Sequence, residues 1–320
     1  MQIIRPNAEI WEQGNTLEDV WKHIARCTRV CYQSTPKENG ESDEEFVKRV
    51  ILRQESSTGE LNFDKIHGAM LEHGTVYLTL PITNAIGDEL NLIVAAIADK
   101  YRRNKYSKIV SSDKYVYVTT NLRVIYENNW LDDLEYIDIP TFHHRRVTVS
   151  FITNIGVSRE FNRHRVNSIA EESTRYCNYN KRNDGQIKIG LPAWLDNETD
   201  KSYLESHQFD SLDSYCEELL NGNNDINTQC WCDMDFYLFA LTAAEFSYNN
   251  LIKKGWKPQQ AREVLPLATK TQLIHTAFVD DWKHFFALRA DGVSGPPHPN
   301  AALITKPLKE EFIKHGYITL

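Results

Sequence analysis

From Arg146 to Ile155 the apolar residues fall at every second position, with Val147, Val149 and Phe151 on one face, and the chain then enters a polar stretch, VSREFNRHRVNSIAEESTRYCNYNK, at 157 to 181. Alternation of this kind makes a strand. A strand that empties into clustered polar side chains mounts them on a rigid support. The stretch gathers Arg159, Arg163, His164, Arg165 and Arg175 around Ser168, Glu171 and Ser173, in a chain whose formal charge is −8. Guanidinium groups interleaved with hydroxyls and a carboxylate hold anionic ligands in a set orientation. Composition alone leaves a second reading open, a solvated helix face on which Glu160, Glu171 and Glu172 pair with the arginines. If 158 to 168 is helical, Arg163 and Arg165 point about 200° apart and cannot reach one ligand. Either the helix ends near His164, or the two serve different sites, one of them in a neighbouring subunit.

The rest of the chain alternates between helical and strand periods. A helix starts near Thr16, with Glu18 and Asp19 in its first turn and Val20, Trp21, Ile24, Cys27, Val30 and Cys31 at helical spacing, and ends before Pro36. Ser42 with Glu45 three residues on is a capping-box pattern opening a second helix, which carries Phe46, Val47, Val50 and Ile51 on one face. A third covers Asn62 to His73 and stops at Gly74. Strands are expected over Thr75 to Leu80 and 114 to 120, with helical segments over Ile86 to Arg103 and Asn121 to Asn129. Loops are marked at 184 to 186 and around 196 to 200. Helices follow over Phe209 to Leu220 and Asp233 to Lys254, the latter closed by Gly255, and one capped by Asp280 or Asp281 runs to Arg289.

With 320 residues and 41% hydrophobic content the chain can bury a substantial core, as one domain or two packed closely. No apolar run approaches the roughly 20 residues of a membrane span, and MQIIRPNAEIWEQ lacks a secretory pattern, so a cytoplasmic protein with no membrane partner is expected. The acidic balance argues against a nucleic-acid partner, since coating a phosphate backbone needs a surplus of Lys and Arg. The six cysteines, at 27, 31, 177, 216, 230 and 232, do not form a disulfide framework. Neither close pair has the spacing of a metal site, and no metal is expected.

The order of residues in the polar stretch is more telling than its composition. Arg-His-Arg, seven residues, Ser, one residue, Arg-Tyr stands here as Arg163, His164, Arg165, Ser173, Arg175 and Tyr176, and it resembles the signature of the flavin-dependent thymidylate synthases. RVCYQS at 29 to 34, LEHGT at 71 to 75, AREVLP at 261 to 266 and HFFALR at 284 to 289 resemble further elements of that family. The similarity covers most of the chain except about 81 to 140, an enlargement on a single domain of residues 1–320.

The resemblance implies an α+β fold with a central, mostly antiparallel sheet packed with helices, in which the strands at 75–80, 114–120 and 146–154 take part. It also implies a homotetramer with active sites shared between subunits. FAD would be held by His73, Thr75, Arg163, His164, Arg165 and Glu171, with His284 at a position where the family has a flavin-contacting Asn. The nucleotide, deoxyuridine monophosphate, would be held by Arg159, Glu160, Arg163, Glu171, Ser173, Arg175, Arg262 and Arg289. Arg289 carries the catalytic role of facing the uracil ring and favouring ionisation at N3. 5,10-Methylenetetrahydrofolate and NADPH are the implied co-substrates, and no enzyme nucleophile is needed, so Cys177 beside the motif is not expected to act as one.

Departures from the family pattern bear on the base. Glu160 stands where the family commonly has Gln, Ala170 where many members have Asn, and Phe278, Val279 and Asp280 replace an Asn-x-Arg element. They leave a related pyrimidine nucleotide such as deoxycytidylate, or a homologue that binds without turnover, as alternatives.

Overall fold

The computed structural model describes residues 1–36, 40–53, 67–83, 89–181, 185–195, 199–200, 202 and 231–319. The expected helix over Phe209 to Leu220, the loop at 196–198, the start of the helix expected from Asn62, and Cys216 and Cys230 lie outside them.

Strand β6 (Arg146–Asn154) lies inside a four-stranded antiparallel sheet. Its neighbours are β2 (Asn7–Trp11) and β9 (Lys270–Phe278), and β7 (Ser168–Glu171) pairs with the far side of β9. Val147, Val149 and Phe151 bury one face of β6 against helices α8 (Val279–Arg289) and α9 (Pro299–Lys314), with Trp282, Phe285, Phe286 and Phe312 filling the space between. The other face of β6 is buried too, and it carries hydroxyls. Thr148 meets His23 of α1 (Leu17–Tyr32) at 3.0 Å.

A second antiparallel sheet, ordered β3–β5–β4, is built from β3 (Thr75–Pro81), β4 (Lys108–Ser111) and β5 (Tyr115–Asn121). Val76, Leu78, Leu80, Val116 and Val118 pack here against α1 and α3 (Glu89–Arg102) through Ile24, Val94, Ile97 and Tyr101. The three strands expected in one sheet are therefore divided between two. Both edges of β6 are occupied by β2 and β9, so β3 and β5 pair with each other and with β4 instead. The sheets touch where the Tyr77 hydroxyl accepts from the Arg146 backbone N–H at 3.2 Å. A short parallel pair, β1 (Gln2–Ile4) with β8 (Lys188–Gly190), covers α6 (Asp233–Lys253).

Local chemistry explains most element ends. Thr16 and Asp19 form a reciprocal capping box on α1, and Ser42 and Glu45 do the same for α2 (Asp43–Val47), which continues as a wider turn over Lys48–Leu52. Asn121 caps α4 (Leu122–Glu127). Gly255, at φ +94°, follows α6 in a conformation that costs glycine little. Gly74 has a different reason: a Cβ there would lie 2.5 Å from Ile24 Cδ1 and 2.8 Å from Val20 Cγ1, so its lack of a side chain lets α1 close against β3. Asp280 and Asp281 do not cap α8. They sit in its first turn, where carboxylates complement the helix dipole, and Phe278 is the cap residue.

Candidate active site

Helix α5 (Ile155–Phe161) continues directly from β6, with the Asn154 side chain accepting from the Val157 N–H at 2.9 Å. It ends at Phe161, and Asn162 to Asn167 form turns that lead into β7. The geometric conflict between Arg163 and Arg165 on one helix does not arise, because neither is helical. Buried Asn167 and Ser168 follow.

This path distributes the motif over three places. One is an open cleft of about 550 Å3 between the end of α5, the loop after β7 and residues 262–267. Arg159, Glu171, Ser173 and Arg262 line it together with Ser158 and Thr174. Two of its three carboxylates are committed to the protein. Glu171 accepts from Asn162 Nδ2 at 2.8 Å and from Thr271 Oγ1 at 3.1 Å, and Glu172 pairs with Lys270 at 2.6 Å with both side chains nearly buried. Arg262 donates to Thr174 Oγ1 at 3.3 Å, whereas Arg159 has no ion pair among the described residues. Glu263, also in the lining, is exposed and lies 3.9 Å from Arg262, so two guanidinium groups share the cleft with Glu171 and Glu263 while Glu172 is neutralised by Lys270. The Ser173 N–H donates to Cys31 O at 3.0 Å, and Tyr32 packs on Tyr176 with ring centroids 5.6 Å apart. That contact brings RVCYQS, remote in sequence, beside the motif.

The second place is an ion-pair cluster at the end of α8. Arg289 Nη1 donates to Glu160 Oε2 at 3.0 Å, Nη2 to the Glu160 carbonyl at 2.9 Å, and Nε to His164 Nε2 at 3.2 Å. An imidazole that accepts from a guanidinium must be neutral at that nitrogen. Burial, the Arg289 charge and His284 together hold His164 down to about 4, burial being the largest cause. His284 is exposed, with its ring 5.8 Å from that of His164.

The third is a cleft between the two sheets, also of about 550 Å3, lined by Arg165, Arg146, Ser168, Lys105, Tyr106, Lys108 and Arg123 among others. Arg163 is exposed and lines none of these clefts. Arg175 is exposed and donates to Gln259 Oε1 at 3.1 Å. Thr75 accepts from Arg146 Nη1 at 3.2 Å. His73 is fully buried, its Nδ1 2.8 Å from Thr276 Oγ1, at one end of a chain of contacts through Thr148 to His23.

Sequence reasoning missed β7 and β9, and with them Lys270, Thr271 and Thr276. The run KTQLIHTAF does carry the β-branched and aromatic residues of a strand, which was the available signal. It also missed Arg146, whose place at the start of β6 gave no sign of where its side chain turns. Cys177 is buried, with its thiol 3.8 Å from Cys31 O.

The thymidylate synthase complementing protein family matches this chain over residues 88–294, about two thirds of its length. The chain belongs to that family. The matched interval takes in most of the segment 81–140 and the whole Arg-rich stretch. Among curated relatives, a flavin-dependent thymidylate synthase from Synechocystis sp. is 34% identical over 68 residues, which is 21% of this chain and 30% of that protein. The match therefore spans about a third of the length of the curated relative. Among solved structures, the UMP/dUMP methylase PolB from Streptomyces cacaoi, bound with 5-Br dUMP or 5-Br UMP, aligns with 98% of this family member at 14% identity and a TM-score of 0.39. A likeness that distant carries no weight here. Among the described residues, no helix is long and apolar enough to cross a membrane.

Proposed function

We propose that this chain is a flavin-dependent thymidylate synthase that methylates deoxyuridine monophosphate, using 5,10-methylenetetrahydrofolate as carbon donor and NADPH as reductant. The observation that carries this reading is the convergence of Arg159, Ser173 and Arg262, from three separate segments, on one cleft in which Glu171 and Glu172 are held by protein partners. A nucleotide phosphate takes bidentate guanidinium donors and a hydroxyl in such a place. Arg159 and Arg262 would hold the phosphate and Ser173 would orient it. Glu171, fixed by Asn162 and Thr271, would set the position of the sugar and base.

The donor set also suits FAD. Arg165 and Arg146 face the inter-sheet cleft with neither guanidinium in an ion pair among the described residues, which fits a pyrophosphate. When bound, reduced FAD supplies the one-carbon relay and the final reduction. The protein's part is orientation and charge. Arg289, held by Glu160 and His164, would present a fixed positive charge to a pyrimidine ring. Arg163 and Arg175, exposed on the surface of one subunit, suit sites completed in a homotetramer, which light scattering would test: a monomer that turns over would rule out sharing. Purified protein should show a flavin absorption spectrum on addition of FAD and form thymidylate. Absence of flavin binding at micromolar FAD would overturn the reading.

The Glu160–Arg289 ion pair favours a second reading, methylation of another pyrimidine nucleotide such as deoxycytidylate. A carboxylate that already neutralises Arg289 weakens its pull on a uracil N3 anion and leaves an acceptor for an exocyclic amine. Turnover with deoxycytidylate alone would select it.

A further inference from the structure

Helix α3 packs on the second sheet through Val94, Ile97, Ala98 and Tyr101. A helix that covers one side of a sheet normally turns polar side chains to water on the other. This one does so only in part. Leu92 is 68% and Ile93 45% exposed, and Ala95 and Ala96 beside them are exposed as well. A single exposed leucine is ordinary on a protein surface, but four apolar positions gathered within five residues of one helix make a contiguous patch, which marks a contact.

The two ends of this face carry opposite charges. Glu89 is exposed at the N-terminal end and has no ion pair among the described residues. Arg103, one residue past the C-terminal end, has a side chain 79% exposed, and its partner among the described residues is Asp99, four positions back, at 2.8 Å, an exposed pair of small value. Glu89, Leu92, Ala96 and Arg103 fall within about 60° of one another around the helix, and Ala96 stands midway between the two charges. A face with an acid at one end, a base at the other and a small residue at its centre is complementary to itself turned end for end. Antiparallel pairing also sets the N-terminus of each helix dipole beside the C-terminus of the other.

We infer that α3 docks against α3 of a second copy of this chain, antiparallel about a two-fold axis at Ala96. Glu89 of each copy then meets the partner's Arg103, and Leu92 lies against the partner's Ala96 and the aliphatic stem of the partner's Arg103, with Ile93 and Ala95 flanking the seam. The short side chain of Ala96 lets the two axes approach closely. No residue of α3 lines the Arg159 cleft or the inter-sheet cleft, so this contact joins copies without completing a site and stands apart from the flavin reading. Two helices about 21 Å long bury less than a stable dimer needs, so the association depends on concentration.

The test is sedimentation equilibrium of the full chain over a wide range of concentration, for the wild type, Leu92→Glu, Glu89→Arg and the double variant Glu89→Arg with Arg103→Glu. Circular dichroism and melting temperature are the folding controls, and all three positions are exposed, so the folds should be kept. Leu92→Glu should halve the mass reached at high concentration. Glu89→Arg should weaken the association about tenfold at low salt, since two symmetry-related pairs change at once, and the double variant should recover most of that loss. A wild type that stays at one copy, or a Leu92→Glu variant with the wild-type mass, overturns the inference; a lower melting temperature at unchanged mass would show that the chain covers this face itself. No effect of Glu89→Arg, or no recovery in the double variant, overturns the antiparallel pairing.

Discussion

Glu160 on α5 and Arg289 at the end of α8 hold each other twice, through the carboxylate at 3.0 Å and the backbone carbonyl at 2.9 Å, across 129 residues of sequence. The carbonyl contact would survive replacement of the side chain. Glu160→Gln, which keeps an amide oxygen to accept from Nη1 in this partly buried pair, should therefore cost about 1 kcal/mol. It should restore positive charge at Arg289 and shift kcat/KM toward deoxyuridylate over deoxycytidylate by about tenfold, read from both substrates in parallel. An unchanged ratio would mean Glu160 does not set the base preference.

Arg262 lies at the rim of the Arg159 cleft, exposed, and its only direct neutral acceptor among the described residues is Thr174. Arg262→Ala should raise KM for the nucleotide about tenfold or more, the value of one charge-assisted phosphate contact, with a smaller effect on kcat. Binding of the corresponding nucleoside, without its phosphate, should be unaffected in the same calorimetric titration.

The buried contacts His23–Thr148–Thr276–His73 link α1, the sheet and the LEHGT segment, at 3.0, 2.7 and 2.8 Å. Thr276→Val keeps the shape and removes the hydroxyl between two buried polar groups. Thr148 keeps His23, so the loss falls on His73 Nδ1, and leaving that buried nitrogen unsatisfied should cost about 1–3 kcal/mol, measured by the denaturant midpoint at constant slope.

Five buried imidazoles are held below the ordinary histidine value of 6.5, each by burial first: His23 to about 4, His275 to about 3, His164 to about 4, His73 well below it and His143 below it. The unfolded chain takes up these protons near 6.5 and the folded chain does so only at lower pH, nearer 3 to 4 for the first three. Stability from these groups is complete above pH 6.5 and is lost as pH falls toward 4, with a slope approaching about 1.4 kcal/mol per pH unit for each. Melting temperatures between pH 7.5 and 4.5 should fall steadily, and a flat profile would contradict this.

Cys177 is buried and its thiol faces a backbone carbonyl, so Cys177→Ser should keep most turnover in the standard assay. Loss of turnover in a folded variant would reopen a nucleophilic role.

Much of the local structure was legible because its causes are local. The capping boxes at Thr16 and Ser42 and the alternation at 75–80 and 146–154 are chemistry between residues a few positions apart, and each corresponds to an observed element. The reach of β9 was not, since KTQLIHTAF is buried on both faces and shows little alternation. The division into two sheets was also hidden, because which strands pair depends on which edges are already filled.

The Arg-rich stretch shows the same boundary. Its residue order by itself pointed to the family, and its charge and hydroxyl content suit a site for anions, because both are properties of side-chain type and spacing. Which arginine serves which cleft was decided only by the tertiary structure. A turn after Phe161 separates Arg159 and Arg165 into different clefts, and Glu160 is drawn away from the arginines beside it to one on α8. Such pairings depend on distances through space that no spacing along the chain encodes.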